Sequence, residues 1–219
     1  MSHEHEGHGH DHSAAHDPIE QEAGARRDFV LLEMAVRELL IEKGLFTAEE
    51  VTRQIEETDS RTPAQGARLV ARFWTDAAFR ELALRDGKAA ATALGIDMIA
   101  APELVILENM PRLHHVVVCT LCSCYPRAVL GLPPAWYKSK EYRARVVSEP
   151  REVLREFGTA IPEATEIRVV DSTADIRYLV VPVRPSGTES FGEAELAALV
   201  SRDSMIGVAP AREPSSVSP

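Results

Sequence analysis

The chain has 219 residues, 45% hydrophobic and 26% charged, a make-up that allows one folded core or one core plus an arm. Its 24 Lys and Arg stand against 34 Asp and Glu, a formal charge of -10, which disfavours nucleic acid as a partner and gives no electrostatic reason to bind a membrane. The apolar runs are too short to cross a bilayer and the first residues are histidine and acid, so a cytoplasmic protein is expected.

Residues 1–18 hold His3, His5, His8, His10, His12 and His16, six of the eight histidines, set among glycines and acids. Such a composition cannot bury enough surface to order itself, and a flexible tail is expected. Its spacing suits loose chelation of divalent cobalt, nickel or zinc; a solvated tail without function accounts for the same residues.

From Asp28 the pattern turns helical, with Phe29, Leu32, Val36, Leu39 and Leu40 on one face and Gly44 as the stop. Thr47 and Glu50 have the spacing of a capping box, opening a second helix through about Ile55. Thr62 and Pro63 read as a cap with proline in the first turn, leading into Leu69, Val70 and Phe73. Two shorter helices follow, Asp76 to Asp86 and Lys88 to Leu94, ended by Gly87 and Gly95. Residues 19–100 are therefore expected to form a helical arm whose apolar stripes pack on a partner subunit.

Beyond Pro102 the texture changes to β-branched runs and prolines. Leu104 to Leu107, His115 to Val118, Glu166 to Val170 and Ile176 to Val183 read as strands; Pro150 to Phe157 and Glu193 to Val200 read as helices. The expected fold class is α+β: a helical arm, then a layered α/β metal-binding domain over 101–210 and a flexible tail over 211–219. No internal repeat is present.

Sulfur is the sharpest feature. The three cysteines, an odd number, are Cys119, Cys122 and Cys124, all within six residues. Cys122 and Cys124 are too close for an unstrained disulfide. They follow directly on a strand, and a strand end is a rigid platform for ligands. At this spacing three sulfurs reach one metal only if the backbone curls around it, which also brings in the amides of Ser123 and Cys124. Structural zinc asks for four side-chain ligands, usually as two separated pairs, and no second pair exists. His114 and His115 point to opposite faces of a strand, so at most one could complete a Cys3His site. Three purely structural thiols packed this densely would repel once ionised and oxidise readily. If both amides are deprotonated, three sulfurs and two nitrogens leave one octahedral position open on a trivalent ion, and chemistry would occur there.

The segment Val118-Cys-Thr-Leu-Cys-Ser-Cys-Tyr-Pro126, followed by Leu130-Gly-Leu-Pro-Pro-Ala-Trp-Tyr-Lys138, resembles the signature of the α subunit of nitrile hydratase and the γ subunit of thiocyanate hydrolase. The likeness continues through Tyr142 to Val147, Pro150-Arg151, Glu166 to Asp171, Arg177-Tyr178, Pro182 to Thr188 and Arg202 to Gly207, and more loosely through the helical arm. Thr120 between the first two cysteines looks like the cobalt variant; the iron variant usually carries serine there. The resemblance implies a Co(III) cofactor rather than Fe(III), held by Cys119 as an unmodified axial thiolate and, in the equatorial plane, by Cys122, Cys124 and the amides of Ser123 and Cys124. It implies Cys122 as sulfinic acid and Cys124 as sulfenic acid. It implies arginines from a β-type partner subunit around those oxyanions, an activator or metallochaperone, and a small nitrile or thiocyanate as substrate. The Cys124 sulfenate would then act as nucleophile or orient water, and a non-catalytic cobalt carrier is the alternative from another class.

Arg127 departs from most nitrile hydratases, which carry tryptophan after the Tyr-Pro pair, and resembles thiocyanate hydrolase; a cation there suits an anionic substrate. Pairing with an acid of the partner subunit is the other reading of Arg127. Ile99-Ala100-Ala101 stands where nitrile hydratases commonly keep a glutamine. Catalytic roles are thus assigned to Cys124, Ser123 and Arg127. Trp136 and Tyr137 read as core or as pocket walls, and Arg168, Asp171 and Arg177 as structural ion pairs.

Overall fold

A computed structural model describes residues 19–214. The histidine-rich tail expected over 1–18 lies outside the described residues. Contacts divide the chain into two compact units, up to Gln54 and from Ile55 onward.

The first unit holds α1 (Ile19–Glu42) and the opening turns of α2 (Ala48–Ser60). The stop comes where the sequence puts it: Gly44 has φ +67°, and the Leu45 amide reaches back to the Leu40 carbonyl while Gly44 bonds Ile41. The capping box also forms, the Glu50 amide donating to Thr47 Oγ1 at 3.1 Å and the Thr47 amide to Glu50 Oε2 at 2.8 Å. Phe29, Leu32, Val36 and Leu39 of α1 remain exposed, Phe29 to 70%, and α2 buries no residue.

The second unit opens with α3 (Pro63–Thr75), α4 (Ala77–Arg85) and α5 (Gly87–Ala93). Asp76 and Asp86 cap α4 and α5, accepting from the amides of Phe79 and Ala89. These helices were expected in the arm. They instead share one core with the strands, Leu69, Val70 and Phe73 lying in the same buried cluster as Val116, Val117 and Leu179. Gly87 likewise serves packing rather than helix ending: it is the first residue of α5, and a Cβ there would stand 2.2 Å from the Leu104 carbonyl.

β1 (Glu103–Glu108) and β2 (Leu113–Val118) follow, then α6 (Arg127–Leu130), α7 (Ala135–Lys138), α8 (Lys140–Ser148), α9 (Pro150–Glu156), β3 (Glu166–Asp171), β4 (Ile176–Val181), α10 (Glu193–Leu199) and α11 (Arg202–Ile206). β1 pairs in parallel with β4, and β2 in parallel with β3. Parallel pairs covered on both faces explain why Val116 to Val118 and Leu179 to Val181 are buried without alternation. The mixed helix and sheet architecture agrees with the expected fold class. Among the described residues no helix is long and apolar enough to cross a membrane. The expected loose tail from 211 begins later, because Ala211 is buried and the Arg212 amide bonds the Leu199 carbonyl at 2.8 Å.

Candidate metal centre

β2 carries the chain to Cys119, which is buried at 1% exposure, and the register sets Val118 opposite Asp171 of β3. The Ser172 amide bonds the Val118 carbonyl at 2.7 Å, closing the ladder at the point where the cysteine segment begins. Asp171 then takes the first residue of the turn: its carboxylate accepts the Thr120 amide at 3.0 Å and the Thr120 hydroxyl at 2.5 Å. Arg143 of α8 donates to the Thr120 carbonyl at 3.3 Å. From this anchored start the backbone curls, and the Cys122 amide donates to Cys119 Sγ at 3.3 Å.

The curl brings the sulfurs together. Cys119 and Cys122 Sγ are 3.5 Å apart, Cys122 and Cys124 Sγ 3.3 Å, and all three lie within 4.8 Å of one another. None is in a disulfide. Contact with Cys124 and Cys119 and the amide of Ser123 pulls the Cys122 thiol down to about 7, because each favours the thiolate. Burial, then the Cys122 contact, pushes Cys124 up to about 12. A cluster that is reluctant to ionise all its sulfurs is one that a cation would stabilise strongly.

Two tyrosines hold the far side. Tyr137 is fully buried and its hydroxyl donates to the Cys124 carbonyl at 2.8 Å; Tyr142 donates to the Val117 carbonyl at 2.7 Å. Burial keeps both phenols well above their ordinary pKa, so they remain donors. Tyr137 and Trp136 make edge contacts with each other and with the cluster around Tyr142 and Phe157, which settles them as core rather than cavity wall.

A cleft of about 420 Å³ opens on the cysteines, and Cys122, Ser123, Cys124 and Arg127 all line it. Ala100 and Ala101 form part of its wall with small side chains, whereas Ile99 turns out to 94% exposure. Arg61 and Asp97 also line the cleft and were not singled out by the sequence; Arg177, which was, lines it as well. Arg177, expected in an ion pair, instead donates to the backbone carbonyls of Thr173, Ala174 and Ile176, the last two at 3.3 and 3.1 Å. Its charge opposes the rise in the Cys124 pKa. Asp171 likewise has no ion-pair partner among the described residues and instead anchors Thr120. Arg168 does form the expected pair, with Glu166 at 2.7 Å.

Among the described residues, His114 and His115 take no part. His114 Nε2 donates to the Gly207 carbonyl at 2.7 Å and its Nδ1 accepts from Asn109 Nδ2 at 3.1 Å, while the amide and Nδ1 of His115 both donate to Asn109 Oδ1. Among the described residues the one group of three or more Cys, His, Asp and Glu able to share an ion is Cys119, Cys122 and Cys124.

Parallel strand pairs that end in three clustered thiols open to a cleft make a site able to hold a metal ion. The family model described as nitrile hydratase, alpha chain, matches residues 27–209, and the chain belongs to that family. It is 50% identical over 185 residues to the high-molecular-weight cobalt-containing nitrile hydratase subunit alpha of Rhodococcus rhodochrous, covering 84% of this chain and 91% of that one. It is 48% identical over 193 residues to the thiocyanate hydrolase subunit gamma of Thiobacillus thioparus, covering 83% and 79%. Among solved structures, a recombinant thiocyanate hydrolase with partially modified cobalt centres superposes with a TM-score of 0.80 at 47% identity, covering 84% and 90% of the two chains. An iron-type nitrile hydratase from Comamonas testosteroni Ni1, in a double mutant, superposes at 0.82 and 42% identity, covering 88% and 95%.

Proposed function

We propose that this chain is the catalytic, metal-binding subunit of a nitrile hydratase, adding water to a nitrile to give the amide at a non-corrin Co(III) centre with oxidised cysteine ligands. The observation that carries the reading is the close set of Cys119, Cys122 and Cys124 facing a cleft. The donor chemistry fits the ion. Three soft sulfurs with no fourth side chain in the group among the described residues are a poor match for tetrahedral zinc. Thr120 between the first two cysteines favours cobalt over iron.

Cys119, Cys122 and Cys124 would hold the ion with the amides of Ser123 and Cys124; the Cys122 amide is already engaged by Cys119 Sγ. The ion supplies Lewis acidity at an open position. Cys122 as sulfinate and Cys124 as sulfenate turn thiols into hydrogen-bond acceptors at the cleft. Cys124 as sulfenate, beside Ser123 on the cleft wall, would orient a water whose oxygen bonds to the nitrile carbon while its protons end on nitrogen; were the sulfenate oxygen itself the nucleophile, water would restore it as the S–O bond breaks, and in neither case is an electron transferred. Buried oxyanions need partners, so arginines of a β-type subunit complete the site, and an activator loads cobalt. The exposed stripe of α1 is the surface we assign to that subunit. A cytoplasmic setting belongs to the same reading.

A second reading, thiocyanate hydrolase, is favoured by Arg127 on the cleft wall, a cation suited to an anionic substrate. Assays of the purified complex on acrylonitrile and thiocyanate separate the two: amide formation supports the first, carbonyl sulfide without amide replaces it. Mass spectrometry of the cysteine peptide is expected to find two added oxygens on Cys122 and one on Cys124. Three plain thiols in the assembled protein would instead indicate a cobalt carrier, and a complex free of both cobalt and iron would end the proposal.

A further inference from the structure

We propose that residues 2–17 form a second metal site, separate from the cysteine claw, which takes divalent first-row ions through its imidazoles and holds cobalt for transfer to the three sulfurs. The inference rests on the cobalt-centre reading and adds to it a source of the ion within the same chain.

The distribution of imidazole carries the argument. His3, His5, His8, His10, His12 and His16 are six of the eight histidines of the chain. The other two, His114 and His115, are buried and engaged with Asn109 and, for His114, the Gly207 carbonyl, so neither meets an ion from solution. Every imidazole this chain can offer to a dissolved cation therefore lies in one short segment.

Its neighbours suit a cation. Glu4, Glu6, Asp11 and Asp17 stand between or beside the histidines, and no lysine or arginine occurs before Arg26. The segment thus attracts positive ions, and its carboxylates add oxygen donors to the ring nitrogens. Histidines two apart, such as His3 with His5 and His8 with His10 and His12, must bend the chain to share an ion. Gly7 and Gly9 stand where that bend is needed and offer it no steric resistance.

The two donor sets are graded. Imidazole and carboxylate hold divalent cobalt, nickel or zinc without a thiolate, so the ion can leave again. At the claw three sulfurs lie within 4.8 Å of one another, a softer and denser set that draws the ion onward. Tethering makes the supply effective. The residues before α1, which begins at Ile19, span at most about 60 Å when extended, more than the width of a folded body of this size. One ion held within such a radius is present at roughly 1 mM.

The test uses the assembled complex with its claw already filled, so that further cobalt reports the new site. Equilibrium dialysis against divalent cobalt is expected to find about one or two exchangeable ions per chain. A chelator should remove these and leave the slowly exchanging trivalent ion in place. The combined variant His3→Gln, His5→Gln, His8→Gln, His10→Gln, His12→Gln and His16→Gln should weaken this binding at least tenfold. Glu4→Gln, Glu6→Gln, Asp11→Asn and Asp17→Asn together should weaken it no more than about threefold. Turnover and circular dichroism of both variants, produced with ample cobalt, should match wild type. Produced in cells at scarce cobalt, the histidine variant should carry less than about one third of the wild-type chelator-resistant cobalt. Absence of exchangeable cobalt, equal loss of it in both variants, or equal chelator-resistant cobalt at scarce supply overturns the inference and leaves the claw and its reaction intact. A wild-type complex without chelator-resistant cobalt or iron at any supply overturns the cobalt-centre reading and the inference with it.

Discussion

Asp171 and Thr120, 51 residues apart in sequence, are joined by two hydrogen bonds, the carboxylate accepting both the amide and the hydroxyl of Thr120. The strand register makes this possible, since Asp171 stands opposite Val118 at the end of the β2–β3 ladder. The cysteine turn therefore begins from a point fixed at the backbone and not merely at a side chain.

Removing that anchor should loosen the claw. Asp171→Ala leaves the Thr120 amide and hydroxyl without their acceptor, at a cost of about 1–3 kcal/mol. Metal content per assembled complex is expected to fall well below one, with Asp171→Asn intermediate because it keeps one acceptor oxygen. Full occupancy and unchanged unfolding by urea in Asp171→Ala would refute the anchoring role.

The Tyr137 hydroxyl holds the other end of the turn through the Cys124 carbonyl. Tyr137→Phe retains the ring packing against Tyr125 and Trp136 and deletes one hydrogen bond, so a loss of about 1 kcal/mol is expected. Activity should fall more than stability, because Cys124 is the proposed reacting ligand. Equal wild-type turnover in the variant would show that this carbonyl needs no tether.

Acid should weaken the fold through its two buried histidines. Burial holds His114 below its ordinary pKa, against the Gly207 carbonyl; burial, then Arg168 and His114, hold His115 below its own, with Glu166 opposing. The unfolded chain takes up protons at these residues near pH 6.5 while the folded chain takes them up only at lower pH. More protons bound in the unfolded state means that stability is complete above about pH 6.5 and declines as pH falls below it. Urea unfolding at pH 7.5, 6.5 and 5.5 measures this slope, which His114→Gln should make shallower. An identical slope in the variant would remove His114 from the account.

Gly207 ends α11 in the left-handed region at φ +89°, and a Cβ there would sit 1.9 Å from the His115 carbonyl. Gly207→Ala is expected to cost about 3 kcal/mol or more, since strain and overlap add. Thermal unfolding of the purified variant checks it; a midpoint within a degree of wild type would contradict the close approach.

The sequence by itself determined the local features. Gly44, Thr47 with Glu50, and Pro63 each set a helix boundary through chemistry confined to a few residues, and the boundaries stand where that chemistry puts them. The three cysteines were legible for the same reason: they lie within one turn of chain and need no distant element to be recognised. The short helices α6, α7, α8 and α11 were not foreseen, because four to nine residues give no sustained period; α8 buries only Tyr142 and Val146. The reach of the arm was also misjudged, since an amphipathic stripe states that a face will be covered but not by what. Only the tertiary structure decided which residues reach the claw or its cleft from afar. Asp171 and Arg177 arrive through parallel pairing across long crossovers, Tyr137 through an aromatic cluster, and Arg61 through its contact beneath Gly131. Strand register and close packing are properties of the folded chain, so no window of neighbouring residues contains them.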